Sequence, residues 1–184
     1  MFTIGYAGVQ IQQFIDILKS NGVTHLIDVR SLPKSQYFSA FNDTNLRPSL
    51  EKHGIKYLHF KNEFGARQDN PAFYTSGVMD FEKFTKSPQF QGGVSAVGDI
   101  TKNGGVVCLM CAEIDPINCH RAFCARAFQN VAHIIASRNG EVAYETQNDL
   151  ENRLLEMYKT TDPKIAYQKH NQKIGFKRQG FVET

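Results

Sequence analysis

The chain has 184 residues, 41% of them hydrophobic, enough for one domain with its own core and no need of a disulfide or metal staple. Its 21 Lys and Arg against 18 Asp and Glu give a net charge of +3. No apolar run approaches the length of a membrane span, and the stretch from Met1 to Tyr6 lacks the features of a signal peptide. A soluble, cytoplasmic protein with reduced cysteines and no membrane partner is therefore expected.

Phe2 to Ile4 reads as a short strand ending in the turn Gly5-Tyr6-Ala7-Gly8. Ile11, Phe14, Ile15 and Leu18 recur at helical spacing, Gly22 stops that helix, and His25 to Arg30 is a second strand. Strand, helix and strand with short connections predict a parallel βαβ unit. The expected fold is a single three-layer Rossmann-like α/β domain over residues 1–145 with a mostly parallel central sheet.

Pro48 is expected to open a helix that Gly54 ends, Lys56 to Phe60 to form the next strand, and Glu63 to Arg67 to be surface loop. Residues 72–103 read as a helical insertion. Val106 to Met110, the most hydrophobic strand, belongs in the middle of the sheet. A helix capped by Asp115 or Asn118 follows, then a strand from Val131 to Ala136, a short β-like piece after Gly140, and a helical C-terminal extension over 146–184 packed on the core. Residues 163–182 carry Lys164, Lys169, Lys173, Lys177 and Arg178 with no acid, an arrangement open to nucleic acid.

Ligands of open α/β sheets bind beyond the carboxyl ends of the strands. Four segments bring polar residues to that edge: Gly5 and Tyr6; Asp28, Arg30 and Ser35; Glu63 to Arg67; and Cys111 to Arg121. The last is the densest in chemistry. Cys111, at a strand end just before a helix, has the setting that lowers a thiol pKa and makes a nucleophile or redox thiol. Cys119, His120, Glu113 and Asp28 are the further catalytic candidates. Arg30 and Arg121 are suited to gripping phosphate or carboxylate, with Gly5, Tyr6 and Ser35 beside them. Asp28 and Arg30, two apart on a strand, point the same way toward a shared ion pair or a shared ligand.

Cys108 and Cys111 match C-x-x-C, but residues three apart on a strand face opposite sides and cannot chelate one ion. A metal set of Cys111, Cys119 and His120 stays open as the alternative. These residues predict an enzyme, a thiol-dependent hydrolase or transferase, acting on an anionic small molecule such as a nucleotide. A nucleic-acid module in DNA repair or defence is the rival, and no cofactor is named by the sequence.

Thr3-Ile-Gly-Tyr6, Leu26-Ile-Asp-Val-Arg-Ser31, Pro33-Lys-Ser35, Gly54-Ile-Lys-Tyr57 and above all Leu109-Met-Cys-Ala-Glu113 with Asp115-Pro116 and Cys119-His-Arg121 resemble the domain-of-unknown-function family 488 over about residues 2–136. That resemblance implies a compact α/β domain in the microbial cytoplasm and carries no activity with it. Tyr6 stands where the family usually has His, and Ala66 where it has a second glycine. The order of Asp28, Arg30, Cys111 and Arg121 also resembles rhodaneses and cysteine phosphatases. Here, however, nine residues without a glycine separate the thiol from the arginine, too open for their tight cradle.

Overall fold

A computed structural model describes residues 1–177 of the chain. Among the described residues eight strands are formed: β1 Phe2–Gly5, β2 His25–Asp28, β3 Lys56–His59, β4 Tyr74–Thr75, β5 Val78–Met79, β6 Val107–Cys111, β7 Ala132–Ala136 and β8 Val142–Thr146. Six make one sheet in the order β3-β2-β6-β1-β7-β8, parallel throughout except for β8, while β4 and β5 form a separate antiparallel hairpin. β6 lies between β2 and β1, as its unbroken hydrophobicity requires.

Helices cover both faces. On one face lie α1 (Ile11–Ser20) and α2 (Asp43–Glu51), whose Phe14, Ile15, Leu18, Leu46 and Leu50 pack on Ile4, Leu26, Cys108 and Met110. The other face carries α3 (Lys61–Phe64), α4 (Phe81–Thr85), α5 (Pro88–Lys102), α6 (Arg121–Ala125), α7 (Gln147–Tyr158) and α8 (Pro163–Ile174). There Phe64, Phe81, Phe84, Phe90, Phe123 and Tyr167 pack on Ile27, Val29, Leu109 and Cys111. Cys108 and Cys111 thus sit in opposite cores, as strand alternation demands.

Four expectations need correction. Pro48 lies inside α2 rather than at its start; burial of Leu46 and Leu50 offsets the one backbone bond that proline forgoes. Glu63 to Arg67 is not surface loop, because α3 drives Phe64 fully into the core and Ala66 follows it. Residues 72–103 are not all helical: Gly77 and Ser76, both at positive φ, turn the β4–β5 hairpin. The helix expected after Asp115 shrinks to a single 3-10 turn, Pro116–Asn118, before the five-residue α6.

The C-terminal segment docks on the body. Ala166 and Tyr167 are buried, His170 bonds the Ile117 carbonyl at 2.6 Å, and Asn171 grips Phe81 N–H and the Met79 carbonyl. Phe176 continues this contact by accepting the Met79 N–H at 2.9 Å. Lys164 pairs with Glu82, and Arg178 lies outside the described residues. No described helix is long and apolar enough to cross a membrane.

His133 on β7 is fully buried between Thr3 Oγ1 at 2.8 Å and Gln147 Oε1 at 3.0 Å, and burial pushes its pKa down to about 4. The unfolded chain, with an ordinary His pKa of about 6.5, binds this proton first, so stability is complete above that value and falls as pH drops toward 4. The loss amounts to about 3 kcal/mol for this residue. Urea titrations of chelator-treated protein check it: His133→Gln should flatten the stability curve between these pH values relative to wild type.

Candidate metal centre

β6 ends at Cys111, and β1 keeps pairing beyond it through Tyr6 N–H to the Cys111 carbonyl and Ala7 N–H to the Ala112 carbonyl. The chain then turns through Glu113 and Ile114 directly over Gly5, where any Cβ would overlap the Glu113 carbonyl. Gly5 is therefore a close-approach glycine that lets this turn sit on β1. Arg121, fully buried, holds the same turn from within, donating to the carbonyls of Glu113 and of Ile114, the latter at 2.8 Å. Asp115 caps the 3-10 turn through Ile117 N–H and is paired to Arg153 at 2.7 Å, while Arg153 also reaches Glu145. These braces return Cys119 and His120 to the end of β6.

The Sγ atoms of Cys111 and Cys119 and a ring nitrogen of His120 all lie within 4.8 Å of one another, and all three residues are buried. His120 Nδ1 is 3.8 Å from Cys111 Sγ and 3.9 Å from Cys119 Sγ. Its Nε2 is 2.9 Å from the Val29 carbonyl, which can only accept, so a hydrogen is fixed on Nε2 and, in the neutral ring, the Nδ1 lone pair faces the sulfurs. Phe81 stacks on the imidazole at 6.3 Å and Phe176 meets it edge-on at 5.6 Å.

Electrostatics corrects the expectation of a thiolate at Cys111. Its hydrogen bond to Cys119, and burial next, push the Cys111 thiol well up. Burial also raises the Cys119 thiol, but the hydrogen bond from Cys111 and the positive Arg121 and His120 outweigh that and hold it well below its ordinary value. The negative end of the thiol pair is thus at Cys119. Burial would lower His120, yet the Cys119 sulfur and the Val29 carbonyl raise it on balance. Burial and then the Cys119 charge raise Glu113, whose buried Oε2 has no hydrogen-bond partner.

The other sequence-derived residues form a second cluster. Asp28 pairs in register with Met110, so it projects to the α1–α2 face, away from Cys111. There it chelates Arg30 through Nε and Nη2, the closest contact being 2.5 Å, and accepts from Tyr57 Oη at 2.7 Å. Arg30 spends its remaining reach on Tyr6 Oη at 3.1 Å and the Phe41 carbonyl at 2.8 Å. Burial opposes the Arg30 charge, but the Asp28 bonds outweigh it and its pKa rises. Ser35 shapes the following loop, accepting from Phe38 N–H and donating its own N–H to Asn42. Asp28 and Arg30 therefore do not share one pocket with the thiols, and Arg30 and Arg121 are both turned to internal partners. Nor does a five-residue α6 beginning at a buried arginine supply the anion-binding N-terminus expected there.

Sequence reasoning missed three contributors: the Val29 carbonyl, Phe81 and Phe176. A backbone carbonyl leaves no trace in the residue type, and the two rings reach His120 only through packing of the hairpin and α8.

The donors suit a metal. Tetrahedral zinc with bonds of about 2.3 Å to sulfur and about 2.0–2.1 Å to nitrogen sets sulfur and nitrogen about 3.6 Å apart, close to the separations observed. Fold and cluster together define an α/β protein with a buried Cys/Cys/His centre at the carboxyl edge of its sheet. The chain belongs to the family described as Domain of unknown function DUF488, whose model matches residues 10–128. No curated protein and no solved structure matches it.

The division into two clusters has a measurable consequence. Asp28→Ala strands the buried Arg30 guanidinium and should cost about 3–5 kcal/mol in urea unfolding. At 4 °C in native buffer, the number of thiols titrated by a disulfide reagent should stay that of wild type, since Asp28 does not contact the cysteine cluster.

Proposed function

We propose that the chain is a metal-dependent enzyme whose centre is held by Cys111, Cys119 and His120, with zinc or iron as the ions that two thiolates and one imidazole favour. The observation that carries this reading is the His120 geometry: Nε2 engaged by the Val29 carbonyl and Nδ1 directed at two buried sulfurs. A carbonyl that orients a ligating imidazole is a recurrent feature of metal sites. Three protein ligands leave one position of a tetrahedron for water or substrate, the composition of catalytic rather than structural zinc sites.

The substrate is read as a small molecule arriving at the carboxyl edge. Any recognition of negative charge falls to the exposed Lys34, Lys61 and Arg67 on the loops and helix that follow β2 and β3, because Arg30 and Arg121 are occupied. The docked α8 supports a place for the extension beside the centre rather than as a free nucleic-acid arm.

The low-lying Cys119 thiol beside a raised His120 favours a second reading, a metal-free thiolate–imidazolium pair. Elemental analysis of protein purified without chelators separates the two. The metal reading expects about one zinc or iron per chain. It further expects Cys119→Ser or His120→Ala to lose most of it and Cys108→Ser to keep it. A metal-free wild type that stays metal-free after incubation with zinc, and whose Cys119 alkylates rapidly near neutral pH, would establish the thiolate pair instead.

A further inference from the structure

We propose that the cleft between the β4–β5 hairpin, α4 and α8 is a second binding site, one that takes a small organic anion with a flat aromatic body. No ion at the Cys111, Cys119 and His120 centre is required for it.

The cleft encloses about 1000 Å³, at the upper end of the range in which proteins hold small ligands. Its deepest lining residues are aromatic: Phe81, Phe90, Phe123 and Tyr167, all buried, with the Phe81 and Phe123 rings parallel at 4.4 Å. Lys34, Lys61 and Arg67 are not among its walls, so it is distinct from the approach to the centre over those residues.

The charges of the cleft are unevenly matched. Asp80 caps α4 through Lys83 N–H, accepts from Thr75 Oγ1 at 2.8 Å and faces Lys83 Nζ at 3.8 Å. Glu82 serves two cations, Lys86 at 3.2 Å and Lys164 at 3.6 Å, and also accepts from Gln168 at 3.0 Å. Both carboxylates that line the cleft are thus committed. Arg126 is the cation left over. It is exposed, its guanidinium carbon lies 3.9 Å from the centre of the Tyr167 ring, and among the described residues no carboxylate or carbonyl accepts from it. Packing on the ring seats the guanidinium at the cleft, so little freedom is lost when its N–H fork takes a carboxylate or a phosphate.

These features select the ligand class. An unmatched guanidinium calls for an anion, and a cationic ligand is disfavoured because Lys83, Lys86, Lys164 and Arg126 outnumber Asp80 and Glu82. A lining of rings favours a rigid flat body over a flexible chain, whose rotors must be frozen on binding. Phe81 stacks on His120 at 6.3 Å, so a body bound against Phe81 is separated from the candidate centre by one ring.

Naphthalene-2-carboxylate and 2-naphthyl phosphate are the probes, one for each anion, and the chain has no Trp to obscure their fluorescence. At least one should occupy a single saturable site per chain with a Kd of about 1 mM or tighter, and the tighter of the two identifies the anion. Removing the charge, in 2-naphthamide, or replacing exposed Arg126 in Arg126→Gln should each weaken binding about 10–100-fold, the loss of a charge-assisted hydrogen bond. Arg126→Lys should recover part of that affinity, and Lys52→Gln, an exposed cation outside the cleft, should leave it unchanged. The saturated analogue decahydronaphthalene-2-carboxylate should bind about 2–10-fold more weakly than its aromatic counterpart. Ala127→Trp, at an exposed position of the cleft wall, should fill the space and remove binding. Absence of saturable binding by either probe, equal affinity for the uncharged or the saturated body, or an affinity that Arg126→Gln leaves unchanged would overturn the proposal. So would a wild-type dimer that Ala127→Trp abolishes, which would make the cleft an interface between two copies of the chain.

Discussion

The hydrogen bond between His120 Nε2 and the Val29 carbonyl is the contact on which the site depends. An imidazole has one hydrogen and one lone pair to allot between two nitrogens when neutral. By taking the hydrogen at Nε2, the end of β2 determines that Nδ1 presents a lone pair to Cys111 and Cys119 on the neighbouring strand and loop. Without this bond the ring is free to reverse its tautomer, and the three donors no longer form a coherent set. The order of the sheet makes the contact available, because β2 and β6 are adjacent and parallel and so end side by side.

Two arginines that invite a reading as anion grips act as internal braces. Arg121 is a fully buried cation whose Nη groups serve two backbone carbonyls of the turn above β6, and whose Nε has no hydrogen-bond partner. Arg30 closes a network of Asp28, Tyr57, Tyr6 and the Phe41 carbonyl on the other face. Burying a guanidinium is costly unless its donors are matched. That cost is borne where it fixes geometry: Arg121 supports the Glu113 turn, and Arg30 ties the end of β2 to the first turn and to the 3-10 turn Ser39–Phe41 that precedes α2. The tyrosine at position 6 is part of this second network, with its ring stacked on Phe41 at 4.5 Å and its hydroxyl accepting from Arg30.

Much of the fold was legible because it rests on periodicities the residues carry themselves. The helical recurrence of Phe14, Ile15 and Leu18 and the unbroken run of β6 fixed the parallel core, and alternation alone separated Cys108 from Cys111. The family resemblance drawn from the Cys111 to Arg121 block agrees with the family to which the chain belongs. What escaped depends on long-range register and packing. Asp28 was grouped with Cys111 because both reach the carboxyl edge, but its face follows from pairing with Met110, which no local pattern encodes. Phe64 sits among polar residues and gives no sign that α3 would bury it, and Pro48 misled because buried leucines override its preference for a first turn. The lowering of the Cys119 thiol was illegible for the same reason, since it depends on the contact between two sulfurs eight residues apart and on the charges of Arg121 and His120 packed around them.

X-ray absorption at the metal edge of the purified, metal-loaded protein tests the central claim most directly. The account predicts two sulfur scatterers at about 2.3 Å and one imidazole nitrogen at about 2.0–2.1 Å, with a single lighter atom in the remaining position. It also predicts that one sulfur disappears in Cys119→Ser. A first shell made only of oxygen and nitrogen, or one unchanged by Cys119→Ser, would contradict it.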